Sequence, residues 1–197
     1  MGEVTRKGYV VAMESLPHQY PMNYHEPIFW EFLGRAVATF GFLENVLARS
    51  IFAFTATRKY SEDEIEEAFN KWLPTLEKAL KDPLGALIVS YERAVRGHPD
   101  VKIEDFDELI KDLKEASKVR NVICHGSWGL PDKNNASVPF FVSNKMEKFE
   151  TSVDIDFLNQ LQSHATDLSC SVINTVTHMG WKFPGGSGPG SEIWQRD

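Results

Sequence analysis

Residues 27–54 read PIFWEFLGRAVATFGFLENVLARSIFAF, and this stretch decides the fold. Pro27 suits the first turn of a helix, where a missing backbone donor costs nothing. Beyond it Ile28, Phe29, Phe32, Leu33, Ala36, Val37, Phe40, Leu43, Val46, Leu47, Ile51 and Phe54 recur every three or four residues, which sustains one apolar face for about seven helical turns. A helix that long with one apolar stripe must lay it against other helices. The rest of the chain supplies them. Ser61 and Glu64 form a capping box that opens a second helix, which Pro74 should halt, with a short further helix to Lys81. Pro83 opens another, carrying Leu84, Leu87, Ile88, Tyr91 and Val95, and Gly97 with Pro99 closes it. Phe106, Leu109, Ile110, Leu113 and Ala116 lead an amphipathic helix to Ile123, with Gly126 expected as a left-handed C-cap. From about Asp154, the stripe Phe157, Leu158, Leu161, Ala165, Leu168, Val172, Ile173 and Val176 predicts a last helix to Gly180.

Between the last two helices the period changes. Residues 138–142 and 147–153 are β-prone runs around Ser143, Asn144 and Lys145, which predicts a small β-hairpin inserted before the last helix. Pro17 and Pro21 interrupt residues 1–24, read as an extended arm, and the Gly- and Pro-rich residues 182–197 read as a flexible tail. The expected architecture is all-α: an antiparallel helical bundle over residues 25–181, its helices hiding their stripes against one another.

Composition narrows the function. A chain of 197 residues with 42% hydrophobic and 25% charged residues has the balance of one soluble globular domain. Its net charge of −7 excludes a protein that coats nucleic acid through bulk positive charge, so any such contact must be local. Cys124 and Cys170, the two cysteines, are too few for a disulfide scaffold or a thiolate metal site. A reducing cytoplasm is the expected location, with no membrane partner, since no run of about 18 apolar residues occurs. No phosphate loop, nucleophile elbow or His-Glu-x-x-His is present, and neither a metal nor another cofactor is expected.

What remains is Arg120-Asn121-Val122-Ile123-Cys124-His125-Gly126, with Trp128 just beyond. Spacing alone is weak evidence: eight arginines and six histidines give about 0.2 chance pairs at any one separation. Arg93 and His98 share the separation, but His98 lies past the helix-ending Gly97. Arg120 is different, because Leu109, Leu113, Ala116, Arg120 and Ile123 run in line along one stripe. A guanidinium there needs an anionic partner, either a carboxylate such as Glu44 on the first long helix or a bound phosphate. His125 lies about 140° around the helix from Arg120, whereas Asn121 shares the face of His125. Two copies related by a two-fold axis would bring both arginines and both histidines into one cleft. The plain structural reading is a salt-bridged Arg120, a histidine at a helix C-terminus and a capping glycine.

The string RNVICHGSWG resembles the Arg-Asn-x-x-x-His-Gly motif of the HEPN superfamily (higher eukaryotes and prokaryotes nucleotide-binding domains). The resemblance implies a helical bundle that dimerises and, in catalytic members, metal-independent endoribonuclease activity across the dimer interface, often in toxins or antiviral effectors held by an antitoxin or other protein inhibitor. Carried onto this chain, His125 would act as general acid or base while the RNA 2′-hydroxyl attacks the neighbouring phosphate, and Arg120 would hold that phosphate. Asn121 would orient the imidazole or bond a phosphate oxygen. Lys118, with Lys114, would add local positive charge, Trp128 would either offer a stacking surface or close the end of the bundle, and Glu44 would either face the motif or be a solvated position. Arg35 and Arg49, on the same helix as Glu44, either face the motif or are solvated positions, while Cys124 reads as a packing residue and His25, His164 and His178 as structural or surface histidines. The alternative is a noncatalytic HEPN-like module that binds a nucleotide or a protein.

Overall fold

The structure, a computed structural model, describes residues 9–58, 61–67, 70, 73–74, 77, 82–143, 145–188, 190–191 and 193. Among them the bundle is all-α. Helix α1 (Pro27–Ala56) begins with Pro27 in its first turn and buries Phe29, Ala36, Phe40, Leu43, Leu47, Ile51 and Phe54, each large side chain contributing about 1.5–3 kcal/mol. Helix α2 (Leu84–Arg96) ends where the Gly97 N–H reaches the Arg93 carbonyl. Helix α3 (Phe106–His125) carries Ile110, Leu113, Ala116 and Ile123 inward. Helix α4 (Ile155–Thr177) is capped by Asp154, whose carboxylate accepts from Phe157 N–H at 2.7 Å. These four stripes share one core. Ser61 and Glu64 make the expected capping box: the Ser61 hydroxyl and N–H hold the Glu64 carboxyl below its usual range, against a smaller opposing effect of burial. The expected helices between Ser61 and Lys81 lie in part outside the described residues.

The helices are not all antiparallel. Glu92 pairs with Lys114, and Arg96 with Asp107, so α2 and α3 run oppositely, as the short link 97–105 between them requires. The C-terminal ends of α1, α2 and α4 nevertheless meet. Thr57 hydrogen-bonds His98, Tyr91 hydrogen-bonds Thr175, and Trp181 lies against Phe54. Thus α1, α2 and α4 run in one direction and α3 in the other. The long connection 57–83 makes this possible, since α1 and α2 run the same way and the chain returns along the bundle between them, whereas 126–154 joins antiparallel neighbours and stays at one end, where Ser137 meets His25 and Val153.

The hairpin does not form as a pair of strands. Ser137↔Val153 and Val142↔Lys148 are isolated antiparallel bridges in one register. That register sets Pro139 opposite Thr151, where the ladder needs a donor and proline has none. Phe140 instead turns its N–H and carbonyl outward to Ser127, at 2.8 and 3.0 Å. Gly126 is likewise not left-handed: its backbone is extended, φ −69° and ψ 145°, because the chain must leave α3 straight into that Ser127 pairing.

In length and apolarity α1 meets the criteria for crossing a bilayer, but half of its most apolar window is buried among the other helices. The described part of the arm, residues 9–24, is almost wholly exposed and is fastened where Met22 O accepts from the Trp30 indole at 2.8 Å. The start of the tail folds back on the bundle. Trp181 and Phe183 pack on the core, and Arg49 donates to Pro184 O at 3.0 Å.

Candidate functional site

The motif occupies the last turns of α3, beside the middle of α1. Arg120 lies at the edge of the α3 apolar stripe and Glu44 at the edge of the α1 stripe, next to buried Leu43. Packing the two stripes together brings the charges into contact: Arg120 Nη2 donates to Glu44 Oε1 at 2.9 Å. Both side chains are about three-quarters buried, at 21% and 26% exposure, so the pair is neither fully solvated nor sealed. Arg120 Nη1 also reaches Asn121 Oδ1 at 3.4 Å.

His125 is on the other side of α3. It is exposed and among the described residues its side chain is in no hydrogen bond or ion pair. Within one chain the structure therefore brings together Arg120, Glu44 and Asn121, and leaves His125 apart from Arg120. At 100° per residue, Lys111, Lys114, Lys118, Asn121 and His125 fall within a sector of about 80° on α3. All five are exposed, and they form a polar, lysine-rich ridge that ends at the imidazole. Its charge is partly met, by Lys114 with Glu92 at 2.9 Å and Lys118 with Glu115 at 2.6 Å.

Cys124 is half-buried. Burial pushes its thiol up, the nearby Arg120 charge opposes that shift and Glu44 reinforces it, so the thiol is a packing group with little thiolate character. Arg35 pairs with Glu31 and Arg49 is committed to Pro184, so neither serves the motif. Among the described residues no three His, Cys, Asp or Glu side chains gather as a metal site.

Trp128 packs away from the motif into an aromatic cluster at the start of α1, with its ring 5.1 Å from Phe29 and 6.3 Å from His25. His25 is buried, stacks on Phe29 at 3.9 Å, and its Nε2 meets Ser137 Oγ at 3.0 Å. Sequence reasoning left two features of this end unread. One is His25 as the tie between α1 and the 127–137 loop; a histidine just ahead of a helix start carries no signal for a partner more than a hundred residues away. The other is Phe140, 70% exposed beside Ser127, whose signal was the alternation of Val138, Phe140 and Val142. Compared with family models, curated proteins and solved structures, the chain finds no match, and the site rests on its own geometry.

Proposed function

We propose that the chain is a metal-independent endoribonuclease of HEPN type that works as a cytoplasmic homodimer. The observation carrying this reading is the exposed, uncommitted His125 at the end of a lysine-rich ridge, on the helix that also carries a largely buried Arg120. Histidine is the side chain suited to proton transfer near neutral pH. In the reaction, His125 of one copy takes the proton from a ribose 2′-hydroxyl as its oxygen attacks the adjacent phosphorus. The P–O5′ bond breaks, and the partner's His125 gives a proton to the leaving 5′-oxygen. Products are a 2′,3′-cyclic phosphate and a 5′-hydroxyl. Arg120 offsets charge on the phosphorane oxygens. Glu44 occupies one guanidinium nitrogen and orients the group, leaving its other donors for phosphate. Since Arg120 and His125 lie about 140° apart on α3, one phosphate meets both types of group most readily when two copies contribute. A role as toxin or antiviral effector restrained by an inhibitor follows from the same resemblance.

The second reading, a noncatalytic module binding a nucleotide or protein, is favoured by one observation: Glu44 of the same chain already neutralises Arg120. Purified protein incubated with mixed RNA in EDTA separates the two. Cleavage that His125→Ala and Arg120→Ala each reduce by about 10²–10⁴-fold supports the enzyme. Cleavage retained by both variants moves the activity to another site, and no cleavage by any form leaves the binding module.

A further inference from the structure

We infer that Phe140 is the stacking surface for an unpaired base beside the phosphate at His125, which makes single-stranded RNA the substrate class; this rests on the ribonuclease reading above. The aromatic residue nearest the motif in sequence, Trp128, is spent on the cluster with Phe29, Trp30 and His25. Phe140 is the reverse case, with a fixed backbone and a free ring. Its N–H and carbonyl both pair with Ser127, two residues past His125, and opposed residues of such a pair sit about 5.5 Å apart at Cα. The neighbouring Pro139 closes against Gly126 so tightly that a Cβ there would lie 2.9 Å from the proline Cβ. Two consecutive residues of this segment are thus locked to the end of α3, while the Phe140 ring remains 70% exposed. Val138, 47% exposed and on the same side of the extended segment, widens the apolar surface.

A rigidly held, solvated ring on the residue paired with Ser127, two positions past His125, is what base stacking requires, because ordering it costs little on binding. Stacking uses the face that every base has, so the contact is tolerant of sequence. It also needs a base free of its duplex neighbours, so paired RNA is a poor partner.

The test uses the full chain carrying His125→Ala, so that RNA is bound without being cut, and a single-stranded oligoribonucleotide containing 2-aminopurine. Adding Phe140→Ala should weaken binding by about 5- to 100-fold and abolish the fluorescence change of 2-aminopurine on binding, whereas Phe140→Trp should keep both. A matched duplex should bind more weakly than the single strand. Circular dichroism and mass by light scattering accompany each variant. Unchanged affinity for Phe140→Ala overturns the stacking role, and the ribonuclease reading survives if the unsubstituted chain still cleaves. A Phe140→Ala chain that changes oligomeric mass while binding RNA as before makes the ring a protein interface and overturns the inference. Absence of RNA binding by every form, with no cleavage by the unsubstituted chain, removes both.

Discussion

Gly126 is fixed by space and not by its torsion angles. Its φ of −69° is open to any residue, yet a Cβ built on it would sit 2.6 Å from Val122 O and 2.9 Å from the Pro139 Cβ. Neither neighbour can yield easily, since one is helix backbone and the other a rigid ring. Gly126→Ala should therefore destabilise the fold by about 1–3 kcal/mol through overpacking, read as a lower urea midpoint. Gly129→Ala, three residues on and with nothing within 4 Å of its Cβ position, should be close to neutral. Equal midpoints for the two variants would remove the steric account. Because Gly126 also sets the approach of Phe140 to the end of α3, any RNA-dependent activity should fall with the first variant and persist in the second.

At the scale of the elements, Arg120 and Glu44 clamp α3 to α1 across the boundary of the core. Either charge left alone at about one-quarter exposure keeps part of its desolvation cost without its partner, so Glu44→Ala and Arg120→Ala should each cost about 1–3 kcal/mol. The double variant should cost clearly less than the sum. Additive losses in denaturant titrations would mean the two groups do not interact in solution. The same cycle serves the functional question. If Arg120 acts only as a clamp, Glu44→Gln should lower activity in step with stability, and if it binds phosphate, Arg120→Lys should lose activity beyond its loss of stability, because lysine lacks the planar fork. The α1 stripe and the in-line placement of Arg120 are periodicities within single helices, which is why they could be read from the sequence, along with Glu44 as a carboxylate partner. Helix direction could not be read so. Stripes say that helices pack, but the parallel course of α1 and α2, and through α3 that of α4, depends on the return of the chain between Ala56 and Leu84, which no stripe encodes. The path of 126–154 is likewise set by pairings such as Ser127 with Phe140, whereas the local pattern around Phe140 suggested a hairpin within residues 138–153.

Across the whole molecule, each end of the bundle is closed by a buried histidine, and neither partnership has a sequence signature. At the motif end, burial pushes His25 below its usual range, partly offset by a hydrogen bond to the Gly129 backbone. At the far end, burial likewise lowers His98; Asp100 opposes the shift, Arg58 adds to it, and the Thr57 backbone opposes it. At His98 the hydrogen-bond geometry acts in the same direction as burial. Its Nδ1 accepts from Asp100 N–H at 3.3 Å. The ring proton therefore sits on Nε2 and points to Thr57 Oγ1 at 3.2 Å, while that hydroxyl donates to Ala53 O at 2.7 Å. Protonating Nδ1 would break this chain at its first link. In the unfolded chain both histidines return to about 6.5. Above that value they are neutral in both states and contribute no pH dependence. As pH falls below it, the unfolded chain takes up protons that the folded chain refuses, and stability declines until the lowered folded values are passed. The decline should reach at most about 1.4 kcal/mol per pH unit for each proton. The carboxylates held low by partners, Glu64 and Glu92, lose their contributions only at pH values below 4.5, so the interval from 6.5 to 5 isolates the histidines. Urea midpoints should accordingly be flat from pH 8 to 7 and fall between pH 6.5 and 5. His25→Gln combined with His98→Gln should lower the plateau and flatten that fall. A midpoint equal at pH 7.5 and 5.5 in the unsubstituted chain would mean that the two ends open to water readily enough to admit the proton without cost.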